Sequence, residues 1–587
     1  MGRGSGACGA TRKHRSGACG ATRTYRAVAV LASAVLLLGA CTADPPPAIQ
    51  STDSPKPTQT EPAKKKTVVV AVDDVGIGLN PHLLSDLSPT TAAVASLVLP
   101  SPFRPVSVAP GVSDWVLDKS VMSSVEISAV EPFTITYQVR DDAQWSDGAP
   151  IAAEDFRYLW QQMISQPGTV DPAGYQLVED VQSSGGGKTV TVKLKAQYPA
   201  WRTLFANLVP SHLIKDAPGG FARGLADEIA ASGAHFSIRS MDRGRGELVL
   251  ERNDRFWDTP AKPDQIQFRR AGSAAQLSDS LRSGDVQAAV VHGAAALKAQ
   301  VSAIPGVRTA ALWQPRELQF TLNARTAALT DGRVRAGLLA LLDPGLLATV
   351  AADTGALVEP VRAQILSPSD PGYAATAPVP PARPDALGLL AQAGYQQVAE
   401  PATQPRILKD AKPFGFVIGA PDNDVTATAV ANSAADQLRG VGIDATVEEL
   451  PADELYGSAL VERRIDAVVG WVGVGSDPAT AVLSRFGCPP PEQPQPTGTA
   501  RAARAPSNLG GVCDPTIQAT LEAAVRGVGE VNKALADVEP KLWGLQTVLP
   551  VVQDATLGAV GGGVEGVVLG GPIQVPVFSD AAAWIRK

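Results

Sequence analysis

Phe133-Thr-Ile-Thr-Tyr-Gln-Val-Arg-Asp-Asp-Ala-Gln-Trp-Ser-Asp-Gly-Ala-Pro-Ile-Ala-Ala-Glu-Asp-Phe156 is the stretch on which the fold turns. Phe133 to Val139 alternates apolar with polar residues, the period of a half-exposed strand. Asp147-Gly148 is turn chemistry, because glycine accepts backbone angles that a tight turn demands. Ile151 to Met163 then spaces its apolar residues as one face of a helix. Glu154-Asp155 fall at the start of that helix, where the positive end of its dipole favours acids.

Working outward, Thr67-Val-Val-Val-Ala-Val72 is fully apolar, as strands buried inside an α/β sheet are. The turn Gly185-Gly-Gly187 leads into a second alternating strand, Thr189 to Leu194, and Glu247–Glu251 and Gln265–Phe268 read as further strands. Ala274 to Ser283 is a helix stopped by Gly284, which suits a left-handed cap, and Asp285 to Val291 returns as a strand. The same grammar recurs later. Val430 to Leu438 passes through Gly440 and Gly442 to the strand Ile443–Val447, and Leu455 to Glu462 leads to Asp466–Trp471. Strands and helices alternating in two separated blocks predict two α/β lobes. Two Pro-rich segments, Val379–Pro384 and Pro489–Pro506, read as surface insertions, since the alternation resumes after each.

The first 66 residues are of another kind. An apolar run from Ala27 to Ala40, with Arg23 and Arg26 before it, ends in Leu38-Gly39-Ala40-Cys41. That is the pattern of a bacterial lipoprotein signal, cleaved before Cys41, which then carries the lipid. The rival is a short uncleaved anchor, although the run falls short of the roughly 20 residues that span a bilayer. Ser5–Arg12 recurs as Ser16–Arg23, and we expect a translation start placed too far upstream, leaving Cys8 and Cys19 without structural weight. From Thr42 to Lys66 the chain is Pro, Thr, Ser, Lys and Gln, the composition of an extended tether.

Residues 1–40 hold six of the 51 Lys+Arg and no acid, so the remainder carries 45 basic against 58 acidic residues, a formal charge of −13. An acidic surface disfavours nucleic acid and anionic lipid alike, which leaves membrane attachment to the acyl chains. Past Cys41, only Cys488 and Cys513 remain. In an exported chain such a pair becomes a disulfide, the alternative being a two-cysteine metal site with no His or third Cys nearby. We expect no metal and no cofactor.

Catalytic signatures are missing. Four histidines follow the leader, His82, His212, His235 and His292, none at metal-ligand spacing, and no G-x-S-x-G elbow or Walker loop occurs. Gly561-Gly-Gly563-Val-Glu-Gly566 matches G-x-G-x-x-G but runs into Val567-Val-Leu569 and another Gly-Gly-Pro, so it reads as a turn. The chain is expected not to be an enzyme, although a pair of glycosidase carboxylates leaves no signature to exclude.

The opening stretch, above all Trp145-Ser-Asp-Gly148-Ala-Pro150 ending in Glu154-Asp155, resembles the family 5 extracellular solute-binding proteins, the dipeptide, oligopeptide and nickel receptors of ABC importers. Leu250–Trp257, Leu318–Asn323, Val334-Arg335, Leu389–Tyr395 and Gly470-Trp471 leading to Asp477-Pro478 continue the resemblance over residues 67–587. It implies an α/β, two-lobed periplasmic-binding-protein-like fold with an extra subdomain on the first lobe and a ligand held between the lobes. The corresponding division is a signal and upstream extension (1–40), a tether (41–66), lobe I with its inserted subdomain (67–311), lobe II (312–547) and a C-terminal return to lobe I (548–587). Crossovers are expected near Ala311–Arg316 and Val548–Val552.

A further set of residues, among them Asn80–Ser88, Tyr158–Met163, Asp171–Tyr175 and Ser367–Tyr373, is similar to a mycobacterial lipoprotein of that family associated with phosphatidylinositol mannoside and lipoarabinomannan synthesis. The resemblance implies a phosphatidylinositol mannoside-type glycolipid ligand. In the dipeptide receptors, the Trp matching Trp471 is followed three residues later by an Asp that pairs with the peptide's α-amine. Here that position is Val474, and a buried amine without its carboxylate is strongly disfavoured. Asp477 is the nearby acid that could substitute. Trp471 is then either the floor of the site or lobe core, its indole face able to pack on a sugar or an acyl chain. Two functions stay open. One is a lipid-anchored glycolipid-binding protein on the outer face of the cytoplasmic membrane, working with an envelope-synthesis membrane protein. The other is an oligopeptide receptor serving an ABC permease. In either case we expect a monomer.

Overall fold

The computed structural model describes residues 66–109, 112–293, 295–352, 357–398, 405–489 and 507–587. Cys41, the leader and the tether up to residue 65 lie outside them, as do residues 490–506 of the second Pro-rich segment. One long mixed sheet organises the rest. Its strand order is Asp444–Leu450, Gly415–Pro421, Ala467–Gly473, Arg308–Leu322, Val548–Val560, Ala288–Val291, Thr67–Val72, Gln265–Arg270, Glu247–Arg252 and Phe236–Asp242. Thr67–Val72 lies parallel to both Gln265–Arg270 and Ala288–Val291, and the helix Ala274–Ser283 between those two is closed by Gly284 at φ +77°. That is the βαβ unit the glycine punctuation predicts.

Two strands carry the chain between the sheet's halves. Arg308–Trp313 pairs with Ala555–Val560, the pairing slips between Trp313 and Glu317, and Glu317–Thr321 then pairs with Val548–Gln553. On one side Leu557–Val560 pairs with Ala288–Val291; on the other Arg316–Leu322 pairs with Ala467–Gly473. The first crossing therefore falls at Gln314–Arg316, inside the expected segment. The second falls at Gln553–Ala555 rather than Val548–Val552, because Val548–Gln553 is still laddered to the second half.

Between Thr67–Val72 and Phe236 sits the extra subdomain. Its four antiparallel strands run in the order Met122–Val130, Phe133–Val139, Thr189–Leu194, Val178–Ser184, with the helix Ala153–Ser165 against them. The Trp145 motif is its joint. Gly148, at φ +98°, closes a turn by donating its N–H to the Trp145 carbonyl. Trp145 is fully buried and donates its indole N–H to Asp155, which also accepts from Ala152 N, Ser211 N and the Ser211 hydroxyl. Asp147 accepts from Ala149 N and from His212. These acids hold the helix start to the rest of the subdomain.

The later helix Leu455–Glu462 departs from expectation: it begins as Ala452–Glu454 and widens into a π-turn at Leu455–Ala459. Gly561 to Gly566 is a turn and short strand edge, as read. Within it, Val564–Glu565 pairs with Ile585–Arg586, and further on Phe578 packs on Phe268 of the first half. Cys488 and Cys513 are joined as a disulfide, not a metal site, with Cα atoms 4.7 Å apart.

Helix Pro478–Phe486 buries Ala479, Val482, Leu483 and Phe486 in the same core as Tyr175 and Tyr198 of the inserted subdomain. Each fully buried Val, Leu or Phe side chain contributes about 1.5–3 kcal/mol. The exposed pair Arg223–Asp453, which also bridges the subdomain to the second half, belongs to a class worth about 0–1 kcal/mol. Apolar packing, not that ion pair, holds the halves together.

Candidate ligand-binding site

A cavity of about 760 Å³ opens where the inserted subdomain, the first crossover strand, the loop after Ala467–Gly473 and residues 568–582 meet. Small-molecule sites span roughly 300–1,000 Å³.

The second half contributes one wall. Every residue of Ala467–Gly473 is buried, and the chain leaves it through Val474, whose N–H donates to the Pro315 carbonyl at 3.0 Å. Val474 lines the cavity as an apolar wall. Gly475 turns the backbone at φ +78°, and Asp477 then caps the helix Pro478–Phe486, one oxygen accepting from Thr480 N at 2.9 Å and from the Thr480 hydroxyl at 2.7 Å. Asp477 lines the cavity, but with that oxygen committed to the helix end.

Trp471 is not among the residues that line this cavity. It is buried, donates its indole N–H to Asp424 at 2.6 Å, and lies beneath the Arg316 guanidinium, 4.0 Å from the ring centre. Alternation along the strand turns its side chain into the second core, and Arg316 is what the cavity meets.

Arg316 is itself fixed. It donates to Asp554 at 2.6 Å and to the Leu87 carbonyl at 2.7 Å. His292 reaches the other oxygen of Asp554 at 2.6 Å, with its second ring nitrogen 2.7 Å from Asp73. Burial opposes ionisation of Asp554, yet Arg316 and His292 hold its carboxyl far below the usual range. Burial likewise disfavours charge on His292, but Asp554 and Asp73 overcome it and push the imidazole up to about 10. Both crossover strands and the first half are thus pinned by one charged chain.

The inserted subdomain contributes the residue that sequence reasoning missed as a site residue. Asp171 follows Val170, whose N–H donates to the His82 carbonyl, and adopts φ +46°. Its carboxylate accepts a hydrogen bond from the Ser476 hydroxyl of the second half, and a β-carbon on Gly473 would stand 3.8 Å from it. Asp171 therefore lies beside Val474. It belongs to no ion pair among the described residues. Burial pushes its carboxyl up, with Ser476 and Arg485 opposing. Two cavity histidines, His82 and His235, are pushed down to about 4, chiefly by burial, and are neutral at pH 7.

Arranged this way, the site can enclose an amphipathic solute, with the under-satisfied Asp171 and the clamped Arg316 among the charged groups that line it. Among the described residues, no three His, Cys, Asp or Glu converge as metal ligands.

A cleft between two halves joined by paired crossover strands, with an inserted subdomain on the first, defines a solute-binding receptor. Residues 123–492 match the bacterial extracellular solute-binding proteins, family 5, and the chain belongs to that family. It is 44% identical, over 95% of its length and 97% of the other's, to a Mycobacterium tuberculosis protein described as the probable monoacyl phosphatidylinositol tetramannoside-binding protein LpqW. It is 26% identical, over 44% of each chain, to the oligopeptide-binding protein OppA of Mycobacterium bovis. Among solved structures, the oligopeptide-binding protein AppA of Bacillus subtilis, in complex with a nonapeptide, shares the fold with a TM-score of 0.66 at 15% identity, over 89% of this chain and 99% of that one.

Proposed function

We propose that this protein is a cell-envelope lipoprotein, anchored through Cys41 on the outer face of the cytoplasmic membrane. It binds a phosphatidylinositol mannoside-type glycolipid and thereby influences phosphatidylinositol mannoside and lipoarabinomannan synthesis. The carrying observation is the 44% identity, over nearly the whole of both chains, to a protein described as binding a monoacyl phosphatidylinositol tetramannoside. Val474 supports the same reading, because it sets an apolar surface where the peptide receptors hold their amine-binding acid. On this reading the two halves close on the ligand about the two crossovers at Gln314–Arg316 and Gln553–Ala555. A monomer of this kind presents its ligand to an envelope-synthesis membrane protein.

A second reading, an oligopeptide receptor delivering to an ABC permease, has Asp171 in its favour: an acid beside Val474 could take the α-amine from the other wall. Titration calorimetry with a mannosylated phosphatidylinositol and with tri- to pentapeptides separates the two. The glycolipid is expected to bind and the peptides not. Tight peptide binding that is lost on N-acetylation would overturn the first reading in favour of the second.

A further inference from the structure

Four of the exposed large apolar side chains among the described residues sit on a single hairpin, formed by Phe103–Ala109 and Val112–Leu117. They are Val106, Val108, Val112 and Val116, exposed by 37%, 60%, 40% and 48%. Arg104 faces Val116 and Val106 faces Asp114, which puts Val106 and Val116 diagonally on one face of the ribbon. The hairpin is not a stray loop. Its base, Phe103 and Leu117, packs into the first core, and Ser113 hydrogen-bonds Gln574 at 3.0 Å.

Val106 and Val116 also line the cavity, so the exposed valine face continues its apolar lining out into solvent. At the hairpin base Asp118 is neutralised by Arg104 at 2.8 Å, whereas Lys119, exposed and lining the cavity, is in no ion pair among the described residues. The cavity is of the size that holds a drug-sized molecule. A glycolipid bearing several sugars and a fatty acid is larger, and part of it must leave the cavity.

Resting on the glycolipid reading above, we propose that this hairpin is the acyl-chain seat. The mannosyl end lies inward against Asp171 and Ser476, the phosphate meets Lys119, and one fatty acyl chain runs outward along Val106 and Val116 toward Val108 and Val112. The order follows from where the groups are: polar groups lie on the inner walls, Lys119 stands at the hairpin base, and beyond it the ribbon carries the four valines with Asp114 beside Val106.

The test compares the purified protein with its Val106→Asp/Val116→Asp variant, exposed positions whose replacement leaves the core intact. The probes are a monoacylated phosphatidylinositol mannoside and its alkali-deacylated glycerophosphoinositol mannoside. Each methylene withdrawn from water is worth about fourfold in affinity. Wild type is expected to bind the acylated probe at least ~10-fold more tightly, since two covered methylenes suffice for that. The variant should lose this preference, so that the ratio of its affinities for the two probes falls toward one. Equal binding of both probes by wild type, or a preference that survives in the variant, overturns the acyl-seat assignment and leaves glycolipid binding standing. Binding of neither probe by wild type overturns the underlying reading instead. A variant that keeps the acyl preference but no longer binds phosphatidylcholine vesicles assigns the valine face to a bilayer and also overturns the proposal.

Discussion

Asp155 and Asp171 are both aspartates of the inserted subdomain, and burial raises the carboxyl of each. They differ in company. Asp155 accepts from the Trp145 indole, two backbone amides and a hydroxyl, all from its own subdomain. Asp171 accepts from one hydroxyl, contributed by the second half. A saturated buried acid serves as a structural joint. One left with spare lone pairs at a cavity wall is available to a ligand. The most legible motif of the chain is therefore its scaffold, and the acid fitted for binding lies elsewhere.

The largest expected effect tests the joint. Asp155→Ala orphans Trp145 Nε1, Ala152 N and Ser211 N, and each stranded buried donor costs about 1–3 kcal/mol. Stability in urea should fall by about 3 kcal/mol or more. A loss below about 1 kcal/mol would show that the motif is not the joint described.

A third acid sharpens the contrast. Asp554 is buried like the others but satisfied by cations, and it keeps His292 protonated. A histidine whose folded pKa is raised from 6.5 to about 10 adds stability that is complete below pH 6.5 and lost as pH climbs toward 10. Thermal melting of wild type should decline over that window, and His292→Gln should melt lower at pH 6 and show a flatter decline. Parallel melting curves for the two proteins would remove His292 from the pin between the crossovers.

The smallest effect on stability belongs to Asp171→Asn. Because burial raises this carboxyl, ionising it opposes folding, and the opposition is felt only above the ordinary aspartate value of 3.8. The variant should match or exceed wild type at pH 7, with the gap closing as pH falls below 3.8. Its affinity for the mannosylated probe should drop by about tenfold, the worth of one hydrogen bond to a charged group. A stability loss like that of Asp155→Ala, with binding untouched, would erase the distinction between the two acids.

What the chain discloses before folding follows the same division. Thr67–Val72 and Ala274–Ser283 were readable because an all-apolar run and a terminal glycine are local signals. Trp471 was readable as buried but not as to which face it lines, since every residue of Ala467–Gly473 is buried and the periodicity is silent. Asp171 gave no sign of its role: its partner Ser476 stands 305 residues away, and only the fold brings them together. Arg316 was likewise hidden, its importance set by Asp554 from the other crossover strand. Local chemistry is written in the chain, whereas a site built across a cleft is written in the topology.

The pairing of the two crossover strands also sets a timetable. Gln314 and Thr556, hydrogen-bonded at 2.7 Å, are 242 residues apart, so the middle of the sheet cannot zip until everything between has been made and largely ordered. Contacts of such separation are slow to form. Pulse-labelled hydrogen exchange during refolding should protect the parallel pair Gly415–Pro421 and Asp444–Leu450 before Val548–Val560. The two crossover strands would then pair last, and the chain would pass through a stage with folded halves and no cavity between them.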